Sequence, residues 1–189
     1  MRDPPSPADA AGQVEDSPGR EARGTHRVGG AKVVNVVFAG LGGQGVLKAS
    51  DILAEAAFRS GLDVKKSELH GMSQRGGSVS SDVRFGGEVF SPMVPPGEAD
   101  YLVVLEPDQA EVNRPHLRAG GVLISPDLIG ENVLPNRKSL NVALCGALSK
   151  HLDLSEANWL AAVRANLPEK LHEANVAAFA IGREKAKGA

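Results

Sequence analysis

Six residues, Gly40-Leu41-Gly42-Gly43-Gln44-Gly45, constrain this chain more than any other feature, because they join two segments of different rhythm. Before them, Val33, Val34, Val36, Val37 and Phe38 form a nearly continuous, β-branched apolar run, as expected of a strand buried on both faces of a parallel sheet. After them, Val46, Ala49, Leu53, Ala56 and Ala57 recur at helical spacing, and Gly61 supplies a stop. The unit Val33–Ser60 therefore reads as strand, glycine loop, helix. Gly40, Gly42 and Gly45 match G-x-G-x-x-G in the context that gives this pattern meaning. Such glycines allow a tight turn and a close approach to the backbone, and the helix start offers free N–H groups and a positive dipole end to an anion. Glu68, near the end of the next strand, stands where a dinucleotide ribose is often held. The plainer reading is that the glycines let strand and helix pack closely, or let a partner chain approach. Gln44 is an unusual insertion for a dinucleotide loop.

The rest of the chain extends the α/β pattern. A strand is expected over Asp63–Leu69, and Ser78–Phe85 alternates, with Val79 and Val83 facing one way and Ser80, Asp82 and Arg84 the other. Gly86-Gly87 predicts a tight turn into Glu88–Ser91, making a β-hairpin where a second crossover helix would follow in a dinucleotide fold. Pro92–Pro96 reads as a rigid connector. Tyr101–Leu105 and Val122–Ile124 are further core strands, separated by a helix reaching to about Ala119. Helices are expected over Asn141–His151, Ser155–Asn166 and Pro168–Lys185. The fold class is α/β: a three-layer, Rossmann-like arrangement with a mainly parallel sheet, an inserted β-hairpin and C-terminal helices.

Between the second strand and the hairpin lies the polar loop His70-Gly71-Met72-Ser73-Gln74-Arg75-Gly76-Gly77. Arg75 can clamp a carboxylate or phosphate. His70 can transfer a proton or orient a group. Ser73 and Gln74 add hydrogen-bonding capacity, and Met72 in so polar a loop suits contact with something apolar, such as another subunit. A solvated turn is the competing reading.

Composition excludes several classes of function. The 189 residues suffice for one domain, with 42% apolar and 23% charged residues and a net charge of −2. No basic stripe points to nucleic acid. One cysteine, Cys145, cannot form an intrachain disulfide, and four-cysteine ligation of an iron–sulfur cluster or zinc is excluded. No apolar run is long enough for a membrane helix, and the N-terminus lacks the apolar core of a signal peptide, so a reduced, cytoplasmic setting is expected. Residues 1–30, poor in large apolar side chains, read as a disordered tail before a single domain over 31–189.

Taken together, G-L-G-G-Q-G-V, E-L-H-G-M-S-Q-R-G-G, S-P-M-V-P-P-G-E-A-D and the L-E-P strand end resemble the gamma-type domain of 2-oxoacid:ferredoxin oxidoreductases, and among them the small subunits of the indolepyruvate type. The likeness covers Val33–Ile124 and resumes at Asn141–Gly146 and Asn175–Gly182. It implies an accessory subunit of an enzyme that converts an aryl pyruvate, coenzyme A and oxidised ferredoxin into an aryl-acetyl-CoA, carbon dioxide and reduced ferredoxin. It places thiamine diphosphate and the 4Fe–4S clusters in a large catalytic partner subunit, with coenzyme A at the interface and no cofactor bound by this chain alone. The site residues so implied are Gly40, Gly42, Gly43, Gln44 and Gly45, together with Glu68, His70, Met72, Ser73, Gln74, Arg75, Gly76 and Gly77. One departure stands out: the family carries a strand and a helix where only Pro126–Leu140 lies here, as in a trimmed variant.

The competing reading of the residues alone is a stand-alone NAD(P)- or flavin-binding protein. Glu106 either lines a site or caps the next helix. Cys145 reads as a small buried hydrophobe, and His26, His116, His151 and His172 as surface residues without metal-ligand spacing.

Overall fold

The computed structural model describes residues 31–70 and 76–186. The tail over 1–30 and the loop residues 71–75 lie outside the described residues. Five strands form one sheet in the order β2-β3-β1-β4-β5: β1 (Val34–Leu41), β2 (Asp63–His70), β3 (Ser78–Gly86), β4 (Ala99–Val104) and β5 (Leu117–Ile124). β3 is antiparallel to both its neighbours, while β1–β4 and β4–β5 pair in parallel. Four strands thus share one direction and β3 opposes them. The apolar run predicted for β1 follows from its central place: Val36, Val37, Phe38 and Ala39 are at most 1% exposed.

The hairpin is real but differs from the one expected. β3 pairs with β2, and the polar loop after His70 is its connection. β3 also pairs along all but its last residue with β1, from Val34 opposite Phe85 to Leu41 opposite Ser78. With β2 on one side and β1 on the other, β3 has no free edge for Glu88–Ser91, which form no strand. That segment instead crosses the sheet face as part of an irregular connector. Two further expectations change. The helix after Pro107 is a single short turn, α2 (Gln109–Asn113), followed by a 3-10 turn, and β5 starts at Leu117. Gly120-Gly121 lies inside β5, where Gly120 takes φ +72 and the pairing with β4 shifts register between Ala99 and Tyr101.

Helices α1 (Val46–Arg59), α3 (Leu140–Leu148), α4 (Glu156–Asn166) and α5 (His172–Lys185) cover one face of the sheet. α1 buries Val46, Ala49, Ile52, Leu53, Ala56 and Ala57. Ile52 and Leu53 are fully enclosed, each contributing about 1.5–3 kcal/mol of burial. α3 is buried along its whole length, because α5 lies directly on it: a Cβ on Gly182 would run into the Ala143 carbonyl, and one on Gly146 into that of Phe179. Ser155 caps α4, its Oγ accepting from Asn158 N at 3.2 Å. The opposite face has a thin cover, made by α2 and the connector over 87–98, which enclose Val37, Ala39, Val94, Leu102 and Val104. Among the described residues no helix is long and apolar enough to cross a membrane.

Candidate functional site

From β1 the chain passes through α1, on the helical face, to β2; from β4 it passes through α2, on the other face, to β5. β1 and β4 are neighbours, so the two connections part between them. That is the topological switch point, where open α/β sheets leave a crevice at the strand carboxyl ends. The glycine loop leaves β1 on one side of the crevice, and Leu105-Glu106 leave β4 on the other.

Gln44 spans the gap. Its Oε1 accepts from Leu41 N at 2.8 Å, and its Nε2 donates to Glu106 Oε2 at 2.7 Å. Gly40 makes room for this side chain, since a Cβ there would come within 2.9 Å of both Gln44 Oε1 and Val46 Cγ2. Gly43 and Gly45 take φ +92 and +86, a conformation that L side chains rarely adopt. Asn141, 6% exposed at the start of α3, donates from Nδ2 to Gly45 O at 3.2 Å and fastens the loop from behind. Gly42 N donates to Gly77 O at 2.9 Å, joining the glycine loop to the end of the polar loop. Gln44 N is bonded to Leu41 O at 3.1 Å. The amides of Leu41, Gly42 and Gln44, which a dinucleotide loop would offer to a pyrophosphate, are therefore already engaged within the protein.

Two adjoining recesses open on this structure. One, of about 510 Å³, is lined by Gln44, Glu106, Asp127, Glu131 and Arg137 among others, with Leu105, Leu134 and Leu140 as its apolar walls. The second, of about 470 Å³, lies at the start of α1 against Gly43 and Gly45, with Arg137 and Lys138 on its rim. No acidic residue occupies the first turn of α1, so the positive end of its dipole is left for an anion. Acidic groups thus gather at the β4 side and basic groups at the helix start.

Of the predicted residues, Gly40, Gly42, Gly43, Gln44, Gly45 and Gly77 converge here. Gly76 follows the undescribed segment, with φ +70. Glu68 does not reach the crevice: it is level with Phe38 across two strand spacings, about 10 Å. Its carboxylate accepts from Lys66 Nζ at 2.6 Å, on the face where Lys66 also meets Asp51 of α1. The insertion of β3 between β1 and β2 removes the neighbour relation that a ribose-binding acid needs. His70 closes β2, its backbone paired with Val79, which pairs in turn with Gly40. Met72, Ser73, Gln74 and Arg75 lie outside the described residues. Glu106 resolves toward lining the site, because Asp108 holds the N-cap position of α2.

Sequence reading missed Arg137, Lys138, Asp127 and Glu131, which sit in the irregular segment before α3 where no periodicity marks them. Asn141 had a signal, an amide opening an otherwise apolar helix. The histidine expectation also changes in two places: His172 is half-buried, its Nε2 2.7 Å from Leu167 O, and His116 is half-buried and close enough to Asp82 to favour the charged form of that carboxyl. Cys145 is fully buried, and burial pushes its thiol far above the usual range. Neither it nor any cluster of three or more His, Cys, Asp or Glu among the described residues fits a metal centre.

The fold and the crevice define a Rossmann-like α/β domain with a ligand-sized site at the switch point, three of its glycine-loop amides engaged within the protein. Residues 35–135 match the model of the pyruvate ferredoxin/flavodoxin oxidoreductase family, and the chain belongs to that family as a subunit of a 2-oxoacid oxidoreductase. It is 33% identical to the indolepyruvate oxidoreductase subunit IorB of Thermococcus kodakarensis, over 82% of this chain and 97% of the relative. The gamma subunit of a keto/oxoacid ferredoxin oxidoreductase from Geobacter sulfurreducens superposes with TM-score 0.71 at 26% identity, over 84% of this chain and 99% of that one. The same fold occurs in 2-oxoglutarate:ferredoxin oxidoreductase from Magnetococcus marinus, solved with 2-oxoglutarate, coenzyme A and succinyl-CoA, with TM-score 0.71 at 22% identity over 84% of this chain and 32% of that one.

Proposed function

We propose that this chain is the accessory subunit of an oxidoreductase that decarboxylates indolepyruvate or another aryl pyruvate to the aryl-acetyl-CoA and passes the electrons to ferredoxin. In this reading a large catalytic subunit carries thiamine diphosphate and the 4Fe–4S clusters, which supply the carbanion and electron-transfer chemistry. The chain's own task is to wall the shared active site and to hold coenzyme A. The observation that carries this is the Gln44 bridge from Leu41 N to Glu106. It makes the glycine loop a rigid wall and leaves the recess at the α1 start, with Arg137 and Lys138, for an anionic group of the size of a coenzyme A phosphate. His70, the last residue of β2, and Arg75, in the sequence that follows it, are proposed to face the partner's active site. The indolepyruvate preference is supported by the Thermococcus relative's name and coverage. Co-purification tests the reading: a tagged chain expressed in its native cells brings down a large, iron–sulfur- and thiamine-containing protein. Recovery of the chain without such a partner would overturn it.

A further inference from the structure

Six large apolar side chains are exposed among the described residues, and their distribution is uneven. Phe58 stands on α1 and Leu171 near α5, on the helical side. The other four, Leu69 (51% exposed), Phe90 (87%), Met93 (53%) and Val112 (66%), share the opposite side of the sheet. The strand alternation fixes this. Val64 of β2 packs into the helical core and Lys66 meets Asp51 of α1, so Leu69 points away from the helices. Val83 and Phe85 of β3 are in the helical core, which turns Ser80, Asp82 and Arg84 outward with Leu69. Phe90 and Met93 belong to the connector that lies on this outward side, and Val112 belongs to α2, which packs on the same side.

The connector has no regular structure, yet its backbone is held in place. Val89 N donates to Asp63 Oδ2 at 2.8 Å and Val94 N to Asp82 Oδ2 at 2.9 Å. Arg84 Nη1 donates to the carbonyls of Ser91 at 3.0 Å and Met93 at 3.2 Å, while its Nε is fixed on Asn35 Oδ1 at 2.9 Å. Val89 and Val94 are buried as anchors, 3% and 4% exposed, while Phe90 between them and Met93 beside Val94 project into solvent. A segment fixed at this many points displays its apolar side chains at little ordering cost on binding, which is the condition for an interface hot spot.

We infer that this outward sheet face, centred on Phe90 and Met93 and bounded by Leu69 and Val112, is where the large catalytic subunit docks. The inference rests on the accessory-subunit reading above and goes further by assigning the surface. Phe90 and Met93 lie toward the end where β1 begins, beside Asp63 and Arg84, about 20 Å along the sheet from Leu69, so the face spans the sheet from that end to the root of the crevice and takes a partner as large as the catalytic subunit to cover it. Leu69 immediately precedes His70 at the root of the polar loop. α2, which carries Val112, follows directly from Glu106-Pro107 and is tied to the hairpin root by the 2.9 Å bond between Ser78 Oγ and Gln109 Oε1. A partner seated here reaches the rim of the crevice from the side that the helices leave open. The chain's own segment over 1–30, which joins the fold beside the connector through the 2.9 Å bond from Gly87 N to Ala31 O, has only Met1, Val14 and Val28 as larger apolar residues and lacks the side chains to cover this face.

The test uses the full chain and the co-purifying large subunit. Affinity is measured for wild type, for the double variant Phe90→Ser/Met93→Ser, and for Phe58→Ser as a control on the helical side. The double variant is expected to weaken assembly about tenfold or more, with an unchanged melting temperature, while Phe58→Ser assembles like wild type. Wild-type affinity in a folded double variant overturns the docking face and leaves the accessory-subunit reading standing. So does loss of self-association with assembly intact, which would make this face a contact between two copies of the chain. A wild-type chain that binds no large subunit overturns both.

Discussion

Gln44→Glu isolates the contact on which the site is built. The substitution keeps the side chain's shape and the oxygen that accepts from Leu41 N, but replaces the amide that donates to Glu106 at 2.7 Å with a second carboxylate oxygen. A hydrogen bond to a charged group contributes about 1.5–3 kcal/mol. Two full charges about 3 Å apart repel by about 1.4–5.5 kcal/mol at an effective dielectric between about 80 and 20. At low pH the pair escapes most of this by sharing one proton, which restores a donor between the two oxygens. Protonation is thus favoured in the folded state. The stability that the shared proton contributes is present at acid pH and lost as the pH rises through the pair's raised titration. We expect a loss of under about 1 kcal/mol near pH 5 and of about 2–4 kcal/mol near pH 8, out of a total of about 5–15 kcal/mol for a domain of this kind. Urea unfolding of both proteins at the two pH values reads this directly. An equal loss at both, or none at either, would refute the Gln44–Glu106 bridge.

Three other consequences are open to simple measurement. Gly182→Ala sets a methyl against the Ala143 carbonyl in the α3–α5 contact, and thermal unfolding should show a loss of about 1–3 kcal/mol or more; a neutral result would mean that the helices separate freely. Burial raises the Asp82 carboxyl above its usual 3.8, the bond from Val94 N and the nearby His116 and Arg84 offsetting this only in part, so its contribution to stability is present below pH 3.8 and lost as the pH rises through the raised value. Asp82→Asn, which cannot ionise, should therefore gain on wild type as the pH rises above 3.8, and parallel stability profiles would contradict the assignment. Cys145, buried with its thiol pushed up, should react with a chromogenic disulfide only after unfolding, and fast labelling of the native chain would show α3 to be open.

What the sequence revealed follows from how far each signal reaches. β1, the glycine loop and α1 are legible because periodicity and glycine conformation act within one unbroken stretch, and the structure places their boundaries nearly where the pattern does. The place of β3 is not local. Nothing in Ser78–Gly86 says that β1 will pair with its free side, yet that pairing displaces Glu88–Ser91 from the sheet and separates Glu68 from the glycine loop. The same limit hid the basic side of the crevice. Arg137 and Lys138 come to the start of α1 because the segment before α3 passes beside the carboxyl ends of β4 and β1, and a non-periodic stretch carries no mark of such a path. Gln44 was visible as an oddity, but its partner lies 62 residues away, just past the end of β4, so only the fold turns the oddity into a bridge.

The most direct test of the account is reconstitution of turnover. Ferredoxin reduction is followed with indolepyruvate and coenzyme A for the large subunit alone, for this chain alone and for the two together. Reduction is expected from the pair and from neither component separately, with indolepyruvate preferred to pyruvate. Full turnover by the large subunit alone would contradict it, as would micromolar NAD(P) or flavin binding by this chain alone.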